Sequence, residues 1–217
     1  RSLVQMPELP QLHPPERRIP AFLVGFPRSG TPLIDTFLMG HPDTAVLEEV
    51  HLLGTAERQI GKVADLPRAS VHALRHAREA YFAELDRHVA KGFSGLVVDK
   101  LPLNLLGAPF IEAIFPGAKI IFAQRHPCDV VLSGFMQSFV LNDAMASFLT
   151  IKDAADLYDA VMAGWRAILE RFDLPVHTVV YERLVVDSEA QLRPLIDCLG
   201  LPWDDRVLAH TETAEAH

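Results

Sequence analysis

The chain has 217 residues, about half of them apolar, and a net charge of −8. That length and apolar content suit one substantial folded domain and argue against a disordered chain. The acidic balance argues against a nucleic-acid partner, and no apolar run approaches the ~20 residues that span a bilayer.

Residues 1–20 contain Pro7, Pro10, Pro14, Pro15 and Pro20 and read as an extended lead-in or linker, with a single domain expected over 21–217. The chain opens at Arg1 rather than Met, as a piece of a longer product would. Continuous apolar runs predict buried strands at Phe22–Phe26, Leu96–Asp99, Lys119–Ala123 and His177–Tyr181, with a weaker candidate at Ala45–Leu47. Between them, helical patterns fall at 32–39, 70–90, 104–115, 127–138, 153–172 and 188–199. Phe115-Pro116-Gly117 stops one of these. The alternation predicts a three-layer α/β/α, P-loop-like domain with a central parallel sheet. Cys128 and Cys198 form no CxxC pair and read as reduced thiols, which fits a cytoplasmic setting.

The most informative segment follows the first strand. Gly25 and Gly30 have the spacing of the first part of a G-x-x-x-x-G-K-[ST] loop, but Thr31 and Pro32 stand where Lys and Ser/Thr would be. The ammonium and the Mg²⁺-holding hydroxyl of that loop are therefore missing, and Arg28 supplies the cation. Amides at a helix start favour an anion, and Pro32 suits a first helical turn. The loop thus reads as holding one phosphate of a nucleotide, for chemistry that needs no metal. The plainer alternative is an ordinary strand–turn–helix junction with Arg28 solvated.

Other candidates also fall at strand ends, where open α/β sheets place their ligands. Arg125 ends the third strong strand and Ser133 lies eight residues on, so a guanidinium and a hydroxyl could clamp a second phosphate. The alternative is an Arg125–Asp129 ion pair beside a helix-face serine. Lys100 ends the second strand and points to the same crevice, or is simply solvated. Glu48 and Glu49 are acid candidates for a general base, or a solvated pair. His51 could touch an acceptor or be merely exposed. Phe135, Met136, Phe139, Met145 and Phe148 could line an apolar acceptor cavity or belong to the core.

Taken in order, these motifs resemble sulfotransferases that use 3′-phosphoadenosine 5′-phosphosulfate (PAPS), in the bacterial TPR-linked and tyrosylprotein sulfotransferase-like branch. The resemblance covers about residues 20–208. Pro27-Arg28-Ser29-Gly30-Thr31 is similar to the family's 5′-phosphosulfate loop, with Pro32 beside it. Arg125 and Ser133 resemble its 3′-phosphate motif. Tyr181-Glu182-Arg183-Leu184-Val185 resembles its "YExLV" segment, whose tyrosine packs near adenine, and Leu199-Gly200-Leu201-Pro202-Trp203 looks like the tail of the fold.

The resemblance implies an enzyme that moves a sulfuryl group from PAPS to an acceptor hydroxyl and releases the bisphosphate PAP. It implies a bacterial protein, a small-molecule, sugar or peptide-tyrosine acceptor, and no metal. It places Glu49, 21 residues beyond Arg28, as the catalytic base, and Lys100 with Arg28 at the leaving oxygen.

Two departures stand out. Pro32 replaces the family's second threonine and removes two donors, so weaker cofactor binding is expected. The family's basic C-terminal segment is also absent, the sequence ending at Thr211–His217, so an incomplete site is expected. The rival readings are a P-loop nucleotide kinase or NTPase and a non-catalytic partner-binding module.

Overall fold

The computed structural model describes residues 7–10, 12–137 and 145–209. Five strands, β1 (Ala21–Gly25), β2 (Thr44–Glu48), β3 (Leu96–Lys100), β4 (Ile120–Gln124) and β5 (Val176–Val180), form one sheet in the order β2-β3-β1-β4-β5. Every neighbouring pair is parallel. The expected α/β/α layering is observed. On β1, Phe22 and Val24 enter one core while Ala21 and Leu23 enter the other, as the two-residue period of a strand requires.

Helices α1 (Thr31–Met39), α7 (Tyr181–Leu184) and α8 (Ser188–Leu199) cover one face. Helices α2 (Leu53–Ile60), α3 (Val71–Leu85), α4 (Ala108–Ile114), α5 (Pro127–Phe135) and α6 (Ile151–Arg171) contribute to the core on the other. That second core holds Trp165, 5.3 Å from Phe122, and the cluster of Phe22, Tyr81 and Phe115.

The structure revises several expected boundaries. Helix α2 was not anticipated; it is eight residues long and follows Leu52, which offers no side-chain cap, so no start signal marks it. The 70–90 helix stops at Leu85, the last of its buried positions after Leu74, Ala77 and Tyr81. The 104–115 helix divides into a 3₁₀ segment, Pro102–Gly107, and α4. Pro109 explains the break, because it lacks an amide donor and is accommodated in a new first turn. Helix α5 ends at Phe135, three residues short of expectation. Tyr181 does not end a strand but begins α7. Within the lead-in, Leu12 is buried and His13 O accepts a bond from Arg78 Nη1 at 2.8 Å.

Loops leaving the carboxyl ends of the adjacent strands β1 and β4 run in opposite directions, to β2 at one edge and β5 at the other. Such a reversal opens a crevice at the sheet top. Residues at or just beyond the ends of all five strands surround it.

Candidate active site

The turn from β1 into α1 builds the first wall. Ser29 N donates to Phe26 O at 3.1 Å, and the amides of Leu33 and Ile34 bond Gly30 O to start the helix. Gly30 adopts φ 94°, and a Cβ there would collide with the ring of Tyr181. Only glycine satisfies both demands. Gly25 is tightly placed too, since a Cβ would lie 2.8 Å from Ala123 O on β4. Arg28 and Glu49 are the non-glycine residues with positive φ among those described, at 74° and 53°. Both flank the crevice, and backbone strain of this kind concentrates at functional sites.

Four predicted residues meet across the β1–β4 gap. Arg28 Nε donates to Ser133 Oγ at 3.1 Å, although 105 residues separate them in sequence. Arg125 Nη1 donates to Arg28 O at 3.3 Å, and the Arg125 guanidinium stacks 4.6 Å from the Tyr181 ring centroid. Arg125 Nε is buried without a hydrogen-bond partner. Ser133 Oγ thus lies within hydrogen-bond reach of Arg28, on the same side of the crevice as Arg125, and no Arg125–Asp129 ion pair forms among the described residues.

A second cluster lies at the ends of β2 and β3. Glu48 and Lys100 are register partners, and their side chains meet with Lys100 Nζ 3.0 Å from Glu48 Oε1. Glu49 N donates to Lys100 O at 2.8 Å, and Glu49 Oε1 lies 3.7 Å from the same ammonium. Asp35 Oδ2, from α1, approaches Lys100 Nζ at 3.1 Å. The lysine and Asp35 side chains are 3% and 2% exposed, whereas those of Glu48 and Glu49 are 51% and 68% exposed.

Burial pushes the Asp35 carboxyl up, to about 7, against the pull of Lys100. For Lys100, burial disfavours the charge, but Asp35 and Glu48 outweigh it and hold the ammonium above its ordinary value.

The other candidates are not drawn into this constellation. His51 is exposed, between β2 and α2. Phe148 is a core residue 5.9 Å from Phe26, while Phe135 and Met136 are exposed, so these three line no common cavity. Phe139 falls outside the described residues, as does the Met145 side chain.

Strand-end cations beside an aromatic ring have the chemistry to attract an anion and stack a planar ring, and the sequence matches the sulfotransferase family over residues 20–205. The chain belongs to that family. The chain is 30% identical over 203 residues to protein-tyrosine sulfotransferase 1 of Danio rerio, covering 88% of this chain and 56% of the relative. It is also 30% identical over 220 residues to an uncharacterized protein of Aquifex aeolicus, covering 93% of this chain and 28% of that one. The chain therefore spans between about a quarter and just over half the length of these relatives. Among solved structures it resembles a sulfotransferase domain from the curacin biosynthetic pathway, with a TM-score of 0.63 and 20% identity. That match covers 90% of this chain and 78% of the other.

Two residues of this constellation were missed from sequence. Asp35 was passed over, although a lone carboxylate in the apolar helix Leu33-Ile34-Asp35-Thr36-Phe37-Leu38 was an available signal. Glu182 accepts from His126 N at 2.8 Å, bonding the residue that precedes α5. That bond holds the Glu182 carboxyl below its ordinary value. Nothing in the local pattern pairs residues 56 apart.

Proposed function

We propose that this chain transfers a sulfuryl group from PAPS to an acceptor hydroxyl, in line and with its own cations in place of a metal. The observation that carries the reading is the meeting of Arg28, Arg125, Ser133 and Tyr181 in the β1–β4 crevice, beside the Lys100 cluster. The residues fit such a donor: Arg125 presents a buried, unpartnered Nε beside an aromatic ring, and Arg28 stands at a helix N-terminus. PAPS supplies an activated sulfuryl group on a phosphate leaving group.

In this proposal Arg28, Gly30 and Thr31 bind the 5′ side, with Pro32 completing the first helical turn. The Ser29 amide, already bonded to Phe26 O, shapes the loop. Arg125 and Ser133 hold the 3′-phosphate, and Tyr181 stacks beside adenine. Glu49 is the base, because it is the more exposed carboxylate and the more distant from Lys100 of the adjacent pair. It accepts the acceptor's proton as the acceptor oxygen bonds to sulfur and the bond from sulfur to the phosphate oxygen breaks. Lys100 and Arg28 stabilise the charge that appears on that oxygen. Positioning and electrostatics carry the rate in such a scheme. The acceptor is a hydroxyl compound: a small molecule, a sugar or a peptide tyrosine.

Calorimetric titration of 3′,5′-adenosine bisphosphate in EDTA, with ATP and 5′-AMP as controls, tests the reading. Metal-independent binding that disappears without the 3′-phosphate is expected. Binding of ATP alone, seen only when the titration is repeated with Mg²⁺ in place of EDTA, would replace the proposal with a nucleotide kinase. No binding of any nucleotide would favour a partner-binding module.

A further inference from the structure

We infer that Asp35 is a positioning residue for Lys100, a fixed counter-ion that holds the ammonium at the end of β3 and leaves Glu49 uncommitted. The inference rests on the proposed sulfuryl transfer for its catalytic consequence, but the pairing stands on geometry alone.

Three carboxylates face one ammonium: Asp35 from α1, Glu48 from the end of β2 and Glu49 just beyond it. They are not equivalent. Glu48 and Glu49 are more than half exposed, so water and salt screen them and their side chains can swing away. Asp35 is sealed in the protein with Lys100, its Oδ2 3.1 Å from Nζ. An ammonium buried this deeply needs a fixed opposite charge to keep its proton, and Asp35, its carboxyl raised to about 7, supplies that charge in full in the basic range where the lysine would titrate.

A buried ion pair contributes little stability that well-packed apolar side chains could not match. Its presence here points to a placement role instead. Asp35 is one helical turn beyond Thr31, and Thr31 and Asp35 are both buried on α1. The helix that presents the phosphate loop therefore also fixes the lysine, so both sides of the transferring group are set by one rigid element. With Asp35 and Glu48 at 3.1 and 3.0 Å, Lys100 has two closer partners than Glu49 at 3.7 Å. Without Asp35, Glu49 is drawn onto the lysine and away from the acceptor.

The test compares wild type with Asp35→Asn, which keeps the shape and removes the charge. The chain has five lysines, so carbon-13-labelled lysine gives a resolvable titration, assigned by the signal lost in Lys100→Arg. In wild type, Lys100 stays protonated beyond its ordinary value of 10.5. In Asp35→Asn, its midpoint and the basic limb of kcat both move toward neutral by about one pH unit. The kcat falls, while affinity for 3′,5′-adenosine bisphosphate holds.

An unchanged Lys100 midpoint and an unmoved basic limb would overturn the inference, whatever happened to Tm. If Asp35→Asn does not fold, wild type decides, because a Lys100 that loses its proton below 10.5 has no effective counter-ion. Failure of the wild type to transfer sulfate from PAPS would remove the proposed reaction while leaving the NMR test of the pairing intact.

Discussion

Asp99 makes the stability of this protein depend on pH with a sign opposite to that of most paired carboxylates. It is fully buried on β3, on the sheet face opposite Lys100, with Tyr81 OH donating to Oδ2 at 2.8 Å and Oδ1 left without a hydrogen-bond partner. Burial pushes its carboxyl up to about 7 from 3.8, and the Tyr81 bond only partly opposes this. At about 1.4 kcal/mol per pH unit, ionising Asp99 costs the folded chain roughly 4 kcal/mol more than the unfolded chain. Between pH 4 and 7 the folded protein therefore keeps a proton that the unfolded chain has released. Stability from this group is complete below 3.8 and is lost as pH rises through about 7. Asp99→Asn abolishes the titration. The unfolding free energy of the variant minus that of wild type should rise by roughly 4 kcal/mol from pH 4 to pH 8. Urea unfolding of both proteins at half-unit steps measures this. The raised carboxyl of Asp35 is present in both and cancels. Parallel curves across that range would refute the reasoning, because they would mean that Asp99 is equally ionised in the folded and unfolded chains.

Two further expectations concern the crevice. Glu49→Gln should lower turnover on the order of 10²-fold or more, with bisphosphate affinity retained; turnover near wild type in a labelled-sulfate assay would remove Glu49 as the base. Gly30→Ala forces a side chain onto φ 94° and into the Tyr181 ring, so thermal unfolding should report a loss of about 1–3 kcal/mol. Calorimetry should show bisphosphate binding weakened alongside it, and retention of both would show that the turn adapts.

The strands buried on both faces were legible because continuous apolar runs bounded by turn residues have few other uses. The edge strand β2 gave a weaker signal because only Leu47 of its five residues is buried. The loop from Gly25 to Thr31 was legible because its glycines are forced locally, by a left-handed turn at Gly30 and a close approach of backbone at Gly25. Helix α2 escaped notice because neither a cap nor a long apolar stripe marks it.

By itself, the sequence determined the layer architecture, the glycine loop from Gly25 to Thr31 and the polar residues at strand ends, since each depends on the period of its own segment or on local backbone demands. Their pairing was settled only in three dimensions. Arg28 with Ser133, Arg125 over Tyr181, and Asp35 with Lys100 are contacts between elements far apart in the chain. The physical reason is the order of the parallel sheet, which places β1 between β3 and β4 and brings strand ends together that the chain reaches at different times. Burial then separates equivalent residue types: Asp35 becomes a sealed counter-ion and Glu49 stays open to solvent, though both are carboxylates within reach of one lysine.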